Sequence, residues 1–358
     1  MAKYKTIGIM SGTSLDGVDL AYCFFDKKHG VWEFEIVKAI TIPYSNEWKS
    51  KLRNANNLSS ADLVRLDIKF GHYLGKLCQT WIRRQQLDPN LVASHGHTVF
   101  HQPESGFTLQ IGNGAAIASQ LVNCDLVFDF RTQDVSMGGQ GAPLVPIGDK
   151  LLFGEYAVCL NLGGIANISF ENDGRRIAGD IAFCNMPLNY LANMLGKEFD
   201  NNGEIASSGN INKELLLQLN NWDYVNYKFP KSLGREEFEN RFESIINNSK
   251  LAVEDQMRTW IDYISSQIAN EINKIEGKVL VTGGGAMNIF LIEELKRKVN
   301  NELIIPDISL IEFKEALIFA FLGTLRMENE VNILASVTGA SRDHSSGSII
   351  FNRNRNNL

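Results

Sequence analysis

Thr6-Ile7-Gly8-Ile9-Met10 runs into Ser11-Gly12-Thr13-Ser14-Leu15-Asp16-Gly17 and then into Val18-Asp19-Leu20-Ala21-Tyr22-Cys23-Phe24-Phe25. An apolar run, a glycine- and hydroxyl-rich break and a second apolar run read as strand, tight turn, strand. A third strand over Trp32 to Ile42 completes a β-meander. The same unit recurs about 150 residues later, with a strand over Ala157 to Leu162, a turn at Gly163-Gly164 and a return over Ile165 to Phe170. A further strand, Lys278 to Thr282, enters Gly283-Gly284-Gly285. Two related α/β domains are therefore expected. The Gly/Pro-rich stretch Ser136 to Pro143 marks the boundary between them. The first domain then covers 1–135 and is completed by a returning C-terminal helix within 312–330; the second covers 136–311, and 352–358 is a polar tail.

Periodicity fills in the rest. Ser60 is the expected cap of a long amphipathic helix reaching Arg84, with Leu63, Leu66, Phe70, Leu74 and Trp81 at helical spacing. Strands are expected at Leu91 to Ser94, Thr108 to Ile111 and Leu126 to Phe130. Helices are expected at Ala115 to Leu121, Pro187 to Leu195, Arg235 to Asn247, Val253 to Ile275 and Phe313 to Met327, with one more ending at Lys298.

The 358 residues are 44% hydrophobic and carry 35 basic against 41 acidic groups, interleaved along the chain. That charge pattern disfavours a nucleic-acid or anionic-membrane reader. Five scattered cysteines in apolar contexts form neither a disulfide framework nor a CxxC metal motif, which points to a reducing cytoplasm. The N-terminus runs directly into a strand and leaves no room for a signal peptide. The most apolar stretch, Ala316 to Leu322, falls far short of the ~20 residues of a membrane span.

Three glycine turns that each follow a strand suit polyphosphate, because glycine lets backbone N–H groups approach phosphate oxygens. They are Gly12 to Gly17, Gly163-Gly164 and Gly283-Gly284-Gly285; any one of them alone also fits a plain tight turn. The first carries hydroxyls and the Asp16 carboxylate, groups suited to phosphate and, through water, Mg²⁺. Val18 stands where a P-loop lysine belongs, and no GxGxxG opens the first βα unit, which argues against P-loop and dinucleotide-binding proteins. His95, His97 and His101 lie between Gly96 and Pro103 or beside them, in what reads as an irregular loop. Three uses stay open for them: a metal, hydrogen bonding to substrate, for which His95 is the candidate, or packing. Asp16, Asp129, Asp134, Asp180 and Glu315 are the candidate catalytic carboxylates. Asp180, which reads as lying in an irregular segment before an apolar run, fits best, against the alternative of a turn or helix cap. Arg131 pairs with Asp134 or offers a fork for a substrate carboxylate.

The segments Gly8 to Asp19, Ser94-His95-Gly96, Leu109 to Gly112, Asp129 to Val135, Gly138 to Pro146, Asn161 to Asn167, Lys231 to Glu236 and Gly283 to Gly285 together resemble the anhydro-N-acetylmuramic acid kinase family. The resemblance covers nearly the whole chain in order. It implies an actin/hexokinase-like (ribonuclease H-like) two-domain ATPase fold, with domains closing over a cleft, and a homodimer. The implied reaction uses ATP, Mg²⁺ and water to convert 1,6-anhydro-N-acetylmuramic acid to N-acetylmuramic acid 6-phosphate and ADP during peptidoglycan recycling. Gly12, Thr13, Ser14, Leu15, Asp16, Gly17, Val18 and Asp19 would hold ATP phosphates, and the adenine would lie near Gly283 to Gly285. Asp180 would be the base activating water, Arg131 would lie near the sugar, and Glu315 near the reacting centre. An Asp of ordinary pKa, ~3.9, would serve as that base.

The chain departs from the family where Thr-Gly-Pro-Gly-Asn is usual and Ile181-Ala182-Phe183-Cys184-Asn185 stands instead. Met287 replaces a usual His, and Leu233 a Thr. A bulky Phe183 is expected to shift backbone donors or narrow the pocket. Three rival readings follow: a kinase of the same fold for another amino sugar, a nucleotide-binding protein without turnover, and a carboxylate glycosidase that needs no ATP.

Overall fold

The computed structural model describes residues 3–12 and 15–352. The strands are β1 (Tyr4–Met10), β2 (Gly17–Lys28), β3 (Val31–Pro43), β4 (Leu91–Ser94), β5 (His97–Gln102), β6 (Phe107–Ile111), β7 (Asp125–Phe128), β8 (Val158–Leu162), β9 (Ile165–Asn172), β10 (Arg175–Phe183), β11 (Val279–Thr282), β12 (Leu303–Ile304) and β13 (Ser348–Ile350). The chain divides into two compact units: residues 1–152 with 313–358, and residues 153–312.

In the first unit the sheet order is β13-β7-β4-β1-β2-β3. β1, β2 and β3 form the expected antiparallel meander; β4 and β7 add in parallel, and β13 closes the far edge antiparallel to β7. In the second unit the order is β10-β9-β8-β11-β12, again a meander followed by two parallel strands. The recurrence seen in the sequence is thus a repeat of topology, β3-β2-β1-β4-β7 against β10-β9-β8-β11-β12. Short apolar strands such as Val279–Thr282 are buried throughout, as parallel strands covered on both faces must be.

The helix Ile308–Met327 explains why the first unit needs the C-terminal segment. Its residues from Ala316 to Leu325 are buried, and it presses on β1 where Gly8 leaves no side chain: a Cβ there would sit 1.9 Å from the Ala316 carbonyl oxygen. Its Gly323 meets Ala93 of β4 in the same way, a Cβ at 323 lying 2.6 Å from the Ala93 methyl. A buried ion pair, Lys314 Nζ to Asp149 at 2.7 Å, joins it to the helix Pro146–Leu152.

Several expectations need correction. The first unit extends to Leu152 rather than stopping at 135, because Gly141 donates to buried Asp134, Gln140 donates to the Thr338 carbonyl, and Asp149 pairs with Lys314. It also takes in the chain beyond 330: the Asn352 side chain donates to the carbonyls of Ala118 and Leu121. The rest of the expected polar tail lies outside the described residues. The long helix Ser60–Gln85 is capped by Ser59, whose hydroxyl accepts from Asp62 N–H. The stretch read as an irregular histidine loop is β5, which forms a bulged hairpin with β6. The helix expected over Arg235 to Asn247 contains a π-helical turn, Phe238–Phe242.

Overpacking a tight backbone contact typically costs about 1–3 kcal/mol. Because the nearest atoms to a Cβ at Gly8 are backbone, Gly8→Ala is expected to lower the unfolding free energy by at least that much. Urea unfolding followed by circular dichroism checks it; an unchanged midpoint would mean the helix does not rest on this glycine.

Candidate active site

Asp180 lies on β10, a strand missed in the sequence, at a bulge where the pairing with β9 shifts between Asp180 and Ala182. A bulge bends the strand and re-aims side chains. The segment 224–233 closes over it. Asp180 N–H donates to the Lys231 carbonyl at 2.8 Å, Tyr224 Oη donates to the Asp180 carbonyl at 3.0 Å, and Leu233 N–H donates to Asp180 Oδ2 at 2.8 Å. Gly179 makes this closeness feasible, since a Cβ there would lie 2.7 Å from the Lys231 carbonyl oxygen. Oδ1 makes no hydrogen bond among the described residues. Desolvation raises the carboxyl to about 6, opposed by the Leu233 hydrogen bond, so the ordinary value expected from sequence is corrected upward.

Lys231 and Tyr224 were not singled out in the sequence as groups that act on Asp180. The buried Lys231 ammonium donates to the Tyr224 carbonyl at 3.3 Å and lies 4.8 Å from the Tyr224 ring centroid and 5.2 Å from that of Phe229. It thereby fixes the loop that fixes Asp180. Only the run Lys231 to Glu236, noticed as part of a resemblance, pointed there.

Phe183 does not narrow a pocket. It is fully buried, stacked on Trp222 at 5.6 Å with the planes 9° apart, and meets Phe238 and Phe242 edge-on. Ile181, Ala182 and Cys184 are buried with it. The altered segment therefore feeds the core of the second unit. Beyond it the backbone is held: Cys184 and Met186 N–H donate to the Gly164 carbonyl and Asn185 N–H to that of Gly163.

The Gly163-Gly164 turn joins β8 to β9. A Cβ on Gly163 would come no nearer than 3.3 Å to another atom, and on Gly164 no nearer than 3.8 Å, so the turn is open. Gly283 follows β11 with φ +82°, and a Cβ there would strike the Leu162 backbone. The Asn185 amide donates to the Leu162 carbonyl at 2.9 Å and also borders Gly284 and Gly285. The second and third glycine turns are thus neighbours within one unit.

In the first unit, Ser11 anchors the start of the first glycine turn, its hydroxyl bonded to Tyr44 Oη at 2.6 Å and to His97 Nδ1 at 3.0 Å. Thr13 and Ser14 lie outside the described residues. Leu15 takes φ +62°; Gly17 and Val18 are buried at the start of β2. Asp16 is exposed, and half-buried Asp19 accepts from Thr41 Oγ1 at 2.6 Å. Burial lowers His97 to about 4, so its ring is neutral at pH 7. Exposed His101 bonds Thr108, and among the described residues no group of three His, Cys, Asp or Glu could hold a metal.

Arg131 precedes the helix Thr132–Ser136 and is held on two sides. Its Nε and Nη2 reach His95 Nε2 at 3.0 and 2.9 Å, and its Nη1 donates to the Gly141 carbonyl at 2.6 Å. Asp134 does not serve as its ion-pair partner. Fully buried, it accepts from Gly141 N–H and Thr338 Oγ1 and stands 3.6 Å from His344. Asp129, at φ +56°, accepts from Thr132 N–H at 3.3 Å. Desolvation lowers Arg131 to about 10, countered by Glu315 and Asp134, so it stays charged at neutral pH. Glu315 keeps solvent-accessible surface, yet loss of water around it is the largest effect and raises its carboxyl, with Arg131 pulling the other way and Asp19 adding to the rise.

The doubled sheet, a three-stranded meander extended by two parallel strands in each unit, is the repeated α/β arrangement expected from the sequence. The profile of the anhydro-N-acetylmuramic acid kinase family matches residues 4–352. The anhydro-N-acetylmuramic acid kinase of Sulfurimonas denitrificans is 34% identical over 369 residues, covering 96% of this chain and 98% of that one. That of Shewanella denitrificans is 34% identical over 357 residues, covering 94% and 95%. Among solved structures, the ROK hexokinase of Thermus thermophilus covers 89% of this chain and 99% of its own at 11% identity and a TM-score of 0.40. A profile match from residue 4 to residue 352, with 34% identity to these kinases over nearly their full length, establishes that the chain belongs to the anhydro-N-acetylmuramic acid kinase family.

Proposed function

We propose that the protein is an ATP-dependent kinase that opens 1,6-anhydro-N-acetylmuramic acid with water and phosphorylates O6, giving N-acetylmuramic acid 6-phosphate and ADP in peptidoglycan recycling. Family membership sets the reaction, and the observation that supports it at residue level is Asp180: one carboxylate oxygen held by a backbone N–H, the other open. The 1,6-anhydro bridge leaves no free 6-hydroxyl. Water oxygen bonds to C1 as the C1–O6 bond breaks, and O6 takes the γ-phosphoryl group as its bond to ADP breaks. Asp180 Oδ1 takes the water proton. Arg131 binds the sugar, and Glu315 stands near the reacting centre. Gly12 to Asp19 hold the phosphates through backbone N–H groups, Gly163-Gly164 adds to the nucleotide site, and the adenine lies near Gly283 to Gly285.

Mg²⁺ would be held through water by Asp16, exposed at the first turn. When bound there it neutralises charge on the phosphates during transfer. A homodimer, as the resemblance implies, is checked by light scattering, and a cytoplasmic location by fractionation. No helix among the described residues is long and apolar enough to cross a membrane.

A positioned general base is worth ~10²–10⁴ in rate. Asp180→Asn is expected to lose at least that factor in turnover while still binding ATP by calorimetry. In H₂¹⁸O the parent should place the label on the C1 hydroxyl, read before anomeric exchange. Label in phosphate would make the protein an ATPase; activity only on sugars with a free 6-hydroxyl would make it a kinase for another amino sugar.

The raised carboxyl adds a pH signature. An acid whose folded pKa lies near 6 is protonated below that pH, so kcat/KM is expected to fall about tenfold per unit as pH drops below about 6. The ionised form is the less stable one in the fold, so Asp180→Asn should be at least as stable as the parent above pH 6. A flat profile between pH 5 and 7 would remove Asp180 as the base.

A further inference from the structure

The two ring nitrogens of His95 have determinate roles. Nδ1 lies 3.0 Å from the Gly96 carbonyl, which only accepts, so Nδ1 carries the proton. Nε2 then has a lone pair, and Arg131 donates to it from both Nε and Nη2. Protonation of Nε2 would set two cations against each other. Burial, Arg131 and His97 all disfavour it, and Phe319 of the helix Ile308–Met327 covers the ring at 4.5 Å between centroids. Arg131 also feels Glu315 and Asp134, which keep it charged. Of the five guanidinium N–H groups, two go to His95 and one to Gly141, whose own N–H is fixed by buried Asp134. One N–H on Nη1 and one on Nη2 remain.

We infer that His95 is a positioning residue: as the neutral Nδ1–H tautomer it fixes the plane of Arg131 so that the two remaining N–H groups meet oxygens of the sugar. This rests on the sugar-kinase reading and assigns His95 a role through Arg131 rather than on substrate. An arginine held on two sides loses little freedom when it binds, which is where the gain lies.

The experiment compares His95→Phe, which keeps a ring against Phe319 but no acceptor, with His95→Gln, which restores an oxygen near the Nε2 position. His95→Phe is expected to lower kcat/KM for 1,6-anhydro-N-acetylmuramic acid by at least about tenfold, with KM for ATP within about twofold, and His95→Gln to recover most of that loss. ¹⁵N-histidine NMR of the parent should show His95 protonated at Nδ1 only and not titrating between pH 5.5 and 8. Equal losses in both variants, a parallel rise in KM for ATP, or a His95 protonated at Nε2 would overturn the inference. Absence of turnover by the parent on this sugar overturns the kinase reading instead, and the NMR tautomer still decides whether His95 holds Arg131.

Discussion

The second unit is organised around one carboxylate that is held by peptide groups. Asp180 is fixed through its own N–H, its own carbonyl and one side-chain oxygen, and two of the three partners are main-chain atoms of Lys231 and Leu233. Such a hold depends on where the chain runs rather than on which side chains it carries. The Leu233 side chain is therefore free of this task, because its N–H does the holding. The side chains that matter are those that keep the loop in place, and the Lys231 ammonium, set among the Tyr224 and Val225 carbonyls and two aromatic rings, is foremost.

The first unit solves a different problem, that of keeping a cation partly out of water and correctly turned. A guanidinium with few waters needs acceptors, and here they come from a carbonyl and a neutral imidazole rather than a carboxylate. The nearby buried carboxylate, Asp134, is spent on Gly141 N–H and Thr338 instead. Arg131 thus keeps its charge without a direct ion pair among the described residues.

The meander and its recurrence were legible in the sequence because alternation and glycine breaks are local signals. Ile7 and Ile9 face the core, as the apolar run implies, whereas the helix backbone that Gly8 admits comes from more than 300 positions away and could not be read there. β10 was not read: Arg175 to Phe183 mixes charge, three small residues and a bulge, which break the alternation, and the one local signal for it, the Asp173-Gly174 turn from β9, was passed over. Asp180 was found all the same, since a carboxylate ahead of an apolar run needs a reason. The meaning of Phe183 was out of reach, because its neighbours Trp222, Phe238 and Phe242 are distant in the chain. The same holds for His95, whose partner is 36 positions away.

In both sheets the fourth strand of the repeat ends at a left-handed glycine, Gly96 after β4 at φ +75° and Gly283 after β11 at φ +82°. These are the same address in a duplicated plan, yet they are furnished in opposite ways. One crest carries imidazoles on either side of its glycine and works through side chains. The other is stripped to three consecutive glycines and can offer little beyond bare peptide groups. A duplicated architecture therefore does not make the halves interchangeable: specialisation at this address came from adding bulk in one copy and withholding it in the other, with the strand order beneath left untouched.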